Sequence, residues 1–293
     1  MSSTSEALEV ANYEGGCEDA RMEASTSGAL RRASRGRRLL TIARNAFREA
    51  VRDRVLYNLV LFVLLLITGA IFLGELSAAQ ESKIIIDMGL SAMLLFGAFI
   101  AIFVGVGLVY KEIERRTIYA IFSKPVGRGE FLVGKYLGLC LTLALNVFVM
   151  GVGVCLALIY VRGGFDPVVW KIWPAVALIY VELMILTAVA LLFSTFSSPA
   201  LSALLTFAVF IIGHFSADLK AFATALGTQG SRVFFNLLYY LLPNLSNYSY
   251  ITPAGHGEMP TSDAFLAALA YGLAYIAVLL SAATLIFKRR NFK

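Results

Sequence analysis

Two stretches of this 293-residue sequence, Leu56–Leu73 and Gly89–Tyr110, contain no charged side chain. About 20 helical residues cross the ~30 Å hydrocarbon core of a bilayer. Lipid offers the backbone no hydrogen-bond partners, so such runs must satisfy their own amide and carbonyl groups as helices. Composition agrees: 59% of residues are hydrophobic and only 15% are charged, against roughly a quarter charged in ordinary soluble domains. The predicted fold is therefore an all-α polytopic membrane protein. Its six transmembrane helices are expected at about 55–74, 88–110, 132–160, 170–194, 199–217 and 264–287.

Residues 1–36 lack periodicity and read as a disordered cytoplasmic tail; residues 37–293 read as the transmembrane domain. Near the junction Arg31, Arg32, Arg35, Arg37 and Arg38 form a basic block. A helical pattern follows from Leu39 to about Val55. It places Leu39, Ala43, Ala46, Phe47, Ala50 and Val51 on one face and Arg44, Arg48, Arg52 and Arg54 elsewhere. This predicts an amphipathic interfacial helix on an anionic lipid surface. With the first apolar run starting near residue 55, the sequence predicts no cleavable signal.

Charge placement orients the spans. With the N-terminus in the cytoplasm, 20 of the 25 Lys and Arg residues lie inside, leaving Lys83, Arg162, Lys171, Lys220 and Arg232 outside. The positive-inside rule favours this arrangement. The tail from Lys288 to Lys293 places the C-terminus in the cytoplasm too, so an even number of spans is required. The positive net charge is thus accounted for by topology and needs no nucleic-acid partner. The outer segment 218–263 carries Phe234, Leu237, Leu238, Leu241 and Leu242 at helical spacing before Pro243. It reads as a short helix resting in or dipping into the outer leaflet, with Tyr239, Tyr240, Tyr248 and Tyr250 in the interfacial aromatic belt.

The loop after the second span carries the chemistry of recognition. Lys111 to Arg116 extend that span into the cytoplasm, with Glu112 and Arg116 spaced to pair on one helix face. Ile118, Ile121 and Phe122 restore an apolar face, and Pro125 and Gly127 punctuate the chain. Apolar anchors beside a charged row suit docking into a partner's groove. Arg128 and Lys135 fall at headgroup level.

This string resembles the ABC-2 type transporter permeases. Their pattern is a Glu-rich helix end, a Thr, a Ser-x-Pro-Val-x-Arg turn, and Gly-Lys opening the next span. The matching residues are Glu112, Glu114, Thr117, Ser123, Pro125, Val126, Arg128, Gly134 and Lys135. Arg116 stands where the family often has Gly. The short Ser194–Ala200 reversal between spans four and five is similar to theirs. The Leu241-Leu242-Pro243-Asn244 stretch resembles the branch that includes permeases for multicopper-enzyme maturation.

The resemblance implies a multi-pass inner-membrane permease subunit of an exporter, paired with a second permease copy as homodimer or heterodimer. It also implies a separate ATPase subunit gripping Glu112, Glu114, Arg115, Arg116, Thr117, Ile118, Ile121, Phe122, Ser123, Pro125, Val126 and Arg128. The sequence holds no Gly-x-x-x-x-Gly-Lys-Ser/Thr phosphate loop. The chain is therefore not expected to hydrolyse ATP or to hold a cofactor, ATP and Mg²⁺ belonging to the partner.

Glu182 falls mid-span, where an ionisable group is costly and marks a functional position by default. It reads either as part of a substrate path or as a protonated group bonded to another helix, with Asn146 one partner to consider. His256 and Met259 are two metal-ligand types in an outer loop, too few for a site. Gly97, Gly105 and Gly107 invite close helix approach. The rival readings are an ion-driven secondary transporter using Glu182, a membrane-embedded enzyme and a recruiting scaffold. Absent repeat symmetry and broken helices count against the first, and the lack of convergent polar groups against the second.

Overall fold

The computed structural model describes residues 40–48, 61–62, 65, 68–69, 81–114, 128–216, 230, 233, 236–237, 239 and 242–289. All regular structure among them is helical. In chain order the elements are α1 (Glu81–Glu114), α2 (Arg128–Arg162), α3 (Val168–Lys171), α4 (Trp173–Ser194) and α5 (Pro199–His214). The 3₁₀ turn η1 (Leu245–Tyr248), α6 (Ile251–Gly255) and α7 (Ser262–Arg289) follow.

Helix α4 is the hub. Fifteen of its 22 residues are buried, which is the signature of a helix apolar on every side. It contributes to both hydrophobic clusters, one shared with α1, α2, α3 and α6, the other with α2, α5, η1 and α7. Its surroundings show the directions of its neighbours. Gly97 and Gly105 of α1 face Leu183 and Ala190 of α4 in the same order, so these helices run parallel. Tyr136 of α2 donates to the Met184 carbonyl, while Gly151 faces Val176 and Trp173, so α2 runs antiparallel to α4. Gly129, at the start of α2, meets Thr284 near the end of α7. The C-terminal ends of α1, α4 and α7 and the N-terminal end of α2 therefore share one end of the bundle.

Local chemistry explains the breaks. Gly163 adopts φ +68° immediately after α2, a left-handed conformation that glycine takes without steric penalty. Proline in the first turn of α4 and again of α5 removes an amide that would lack a helical acceptor. Between these two helices Ser194 and Thr195 donate to the Leu191 and Leu192 carbonyls at 2.8 and 2.6 Å, closing the reversal expected at Ser194–Ala200. In the α2–α3 loop Asp166 pairs with Arg162. Its carboxyl is held below the usual range, first by the Val168 amide and then by the Arg162 side chain.

Among the described residues four helices are long and apolar enough to cross a membrane, with Pro199–His214 a shorter apolar helix. Several boundaries differ from expectation. The second span already includes Glu81, ahead of the expected 88, and its first turns pack beside α6. The fifth stops at His214 rather than 217, because Leu245 and the Pro243 carbonyl occupy the space beside Gly213. At about 1.5 Å per residue its 16 residues fall short of a full crossing. The first expected span lies mostly outside the described residues. Those described in it are helical, and Phe62 against Phe96 and Gly69 against Met88 run antiparallel to α1. Tyr248, expected in the interfacial belt, is fully buried within the protein.

Residues 40–48 are helical, as the amphipathic pattern required. Ala43 and Ala46 are buried, while Arg44 and Arg48 are exposed. The buried side lies on protein: a Cβ at Gly134 would meet Ile42 at 2.7 Å, and one at Gly138 would meet the Ala43 carbonyl oxygen, also at 2.7 Å. Two glycines four residues apart make a flat seat for this short helix. A Gly138→Val substitution should destabilise the protein by about 1–3 kcal/mol and free the 40–48 helix. Thermal unfolding in detergent and protease cleavage near residue 48 read this out. Gly107, whose Cβ position is open, should tolerate alanine without loss.

Candidate functional site

Three places in the bundle carry polar chemistry. The first is the end shared by α1 and α2. Helix α1 continues through Glu114 and α2 begins at Arg128, so Glu112, Glu114 and Arg128 stand at helix ends. Arg115, Arg116, Thr117, Ile118, Ile121, Phe122, Ser123, Pro125 and Val126 lie outside the described residues. Gly134 and Lys135 follow in α2. Lys135 is buried against the protein, with its ammonium 5.6 Å from the Phe131 ring centroid, within cation–π range. The Gly129-x-x-x-x-Gly134-Lys135 spacing resembles a phosphate loop but continues with Tyr136. It lies within one unbroken helix, and Gly134 receives Ile42. Its glycines serve packing.

The second place is the middle of α4. Glu182 is 1% exposed, and neither carboxyl oxygen makes a hydrogen bond within the described structure. His214, at the end of α5, places Nδ1 3.5 Å from Glu182 Oε1 and 3.3 Å from the Phe210 carbonyl oxygen. Asn146 is not the partner: its Nδ2 donates to the Thr142 carbonyl one turn back at 2.8 Å. Tyr248 of η1 lies within electrostatic reach of Glu182 and donates its hydroxyl to the Ala268 carbonyl of α7 at 2.8 Å. Gly272 lets it in, since a Cβ there would meet the Tyr248 hydroxyl at 2.7 Å. A polar knot continues outward: Ser216 and Ser246 both donate to Asn244 Oδ1, and the Asn244 amide donates to the Tyr271 hydroxyl at 3.1 Å. Sequence reasoning singled out Glu182 but missed His214 and the inward turn of η1. The signal lay in Leu242-Pro243-Asn244-Leu245, where proline and asparagine interrupt an apolar pattern.

The third place is the opposite end. Lys83 Nζ donates to His256 Nε2 at 2.9 Å, while His256 Nδ1 donates to the Thr252 carbonyl at 2.9 Å. Arg162 Nε donates to Ser82 Oγ at 2.9 Å. These side chains line a cavity of about 350 Å³ with Ile86, Val168, Gly255 and Gly257. Met259 is exposed nearby in sequence. His256 is engaged on both ring nitrogens by the fold itself.

A buried helix hub surrounded by helices long and apolar enough to cross a membrane describes a polytopic membrane protein. A sequence profile described as ABC-2 family transporter protein matches residues 40–292. The chain belongs to the ABC-2 transporter family. It is 29% identical over 113 residues to "Probable ABC transporter permease protein NosY" of Pseudomonas aeruginosa, covering 37% of this chain and 41% of that protein. It is likewise 29% identical over 112 residues to the protein of that name from Stutzerimonas stutzeri, with the same shares of each chain. The matched stretch thus spans about two-fifths of these curated relatives.

Replacing Tyr248 separates its two roles. Tyr248→Phe should cost about 0.5–1.5 kcal/mol by removing one hydrogen bond. Tyr248→Ala should cost about 3–5 kcal/mol by emptying the space between α4 and α7. Unfolding temperatures in detergent should rank parent, phenylalanine and alanine variants in that order.

Proposed function

We propose that the chain is the membrane-spanning subunit of an ATP-driven exporter, powered by a separate ATPase that docks on the 111–130 loop. Family membership across residues 40–292 carries the reading. Nine family residues, from Glu112 to Lys135, fall across the junction between α1 and α2. In this reading Ile118, Ile121 and Phe122 enter a groove of the ATPase. Glu112, Glu114, Arg115 and Arg116 set the register, while Thr117, Ser123, Pro125, Val126 and Arg128 shape the turn. Nucleotide-driven closure of two ATPases moves the loop and with it α2, biasing a pair of permeases between inward and outward states. Both termini and the loop face the cytoplasm, where ATP is found, consistent with the basic residues gathered there.

The helix at 40–48 supports this reading. It sits on Gly134 and Gly138, within three turns of the loop, so movement of the start of α2 reaches the membrane surface through a rigid contact. Glu182 belongs to the translocation route in this proposal. It is sealed in the present conformation and would be reached when the helices around it part.

The test is recovery of the tagged protein from its native membrane in mild detergent, with mass spectrometry and an ATPase assay. The parent should bring down an ATPase with a phosphate loop. A variant combining Glu114→Ala, Ile118→Asp and Phe122→Asp should reach the membrane at parental level and lose that ATPase. An intact parent that recovers no ATPase would overturn the proposal.

A further inference from the structure

We propose that Glu182 and His214 together form a proton-binding site at the seam between α4 and α5, holding one exchangeable proton on the Glu182 carboxyl in this conformation. This inference concerns the membrane interior and does not depend on the docking loop.

The argument begins with unmet demand. Glu182 is 1% exposed and both its oxygens lack a hydrogen bond within the described structure. A bare carboxylate in a low-dielectric interior is so costly that such groups neutralise or find a cation. Among the described residues no fixed cation is paired with it; Lys135, buried on α2, lies over the Phe131 ring. From η1 comes Tyr248, whose proton is donated to the Ala268 carbonyl. From α7 come Tyr271, bonded to the Asn244 amide, and Tyr275, its ring tilted beside it. On α2, Tyr136 donates to the Met184 carbonyl and Cys140 is buried nearby. On α1, Lys83 is bonded to His256 and Asp87 packs on Gly255, at the far end with Glu81. Among the described residues, His214 is the one that brings it a basic nitrogen, at 3.5 Å.

His214 faces two oxygens with one nitrogen. Nδ1 lies 3.3 Å from the Phe210 carbonyl and 3.5 Å from Glu182 Oε1, and an imidazole nitrogen carries at most one hydrogen. With that hydrogen on the carbonyl, the carboxyl receives none and keeps its own proton. In the other tautomer the hydrogen is on Nε2 and Nδ1 is bare. The Glu182 hydroxyl then donates to Nδ1, or its proton crosses to give an imidazolium–carboxylate pair. Both forms contain the same number of protons, and only release of that proton leaves an unpaired charge. The imidazole is also the less sealed of the two, its side chain 26% exposed against 1% for Glu182.

The full-length chain in lipid nanodiscs tests this by infrared difference spectroscopy over a pH series, in H₂O and D₂O. The parent should show a protonated-carboxyl C=O band at neutral pH that shifts in D₂O and is lost in Glu182→Gln. His214→Gln removes the proton acceptor, so the band should persist to higher pH than in the parent. Glu182→Asp, which retains the acid, should move the band without abolishing it and serves if Glu182→Gln does not fold. Identical carboxyl spectra for parent and Glu182→Gln, or an unchanged titration in His214→Gln, would overturn the proposal. Neither result bears on ATPase recovery, and loss of ATPase recovery would leave the band in place.

Discussion

Every polar group in this protein is placed under one constraint: the hydrocarbon surrounding the bundle supplies no hydrogen bonds. The consequences radiate from α4. Its backbone is satisfied within the helix, and its side chains are apolar around almost the whole circumference, so neighbours can cover it on every side. Hydroxyl groups in the interior turn back on their own helices, as Thr142, Thr187 and Thr206 do to carbonyls four residues earlier. Against that background the Glu182 carboxyl stands out with both oxygens unpaired, and its setting draws in His214, Tyr248 and the polar knot at Asn244.

Apolar burial cannot by itself bring helices together in lipid, because tails and leucines are equally apolar; close backbone approach and packing must do it. Gly97 and Gly105 set α1 on α4, Gly213 admits Leu245, Gly272 admits Tyr248, and Gly134 with Gly138 admits the 40–48 helix. The last of these joins a surface helix to the start of α2. This gives the proposed docking loop a stiff connection to the bundle. It also explains why glycine stands twice in the Gly134–Gly138 stretch, one position of which belongs to the family pattern.

The helical class, the reversal at Ser194–Ala200 and the positions of the long spans were legible in the sequence, because lipid imposes length and uniform apolarity on a crossing helix. The amphipathic pattern at 39–55 marked the face that is buried at Ala43 and Ala46. It was silent on what covers that face, since lipid and a glycine seat on α2 make the same demand on side chains. The short fifth helix was not legible: its apolar pattern runs past His214, and its end depends on Leu245 arriving from thirty residues downstream. For the same reason Tyr248 looked interfacial, and Asn146 looked like a partner for Glu182. Both outcomes turn on tertiary contacts that periodicity does not encode. The family residues of the 111–130 loop stood out because their order is specific.

The central claim is that the α1–α2 loop faces the compartment that holds ATP. Thiol accessibility measures this most directly, in a chain whose Cys17, Cys140 and Cys155 are replaced by serine or alanine. Single cysteines are introduced at Ser123 in the loop and at Gly164, which is exposed with open space at its Cβ position. A membrane-impermeant maleimide should label the cysteine at 164 in intact cells, and the one at 123 only after the membrane is opened. The reverse pattern would place the loop on the side without ATP and contradict the account.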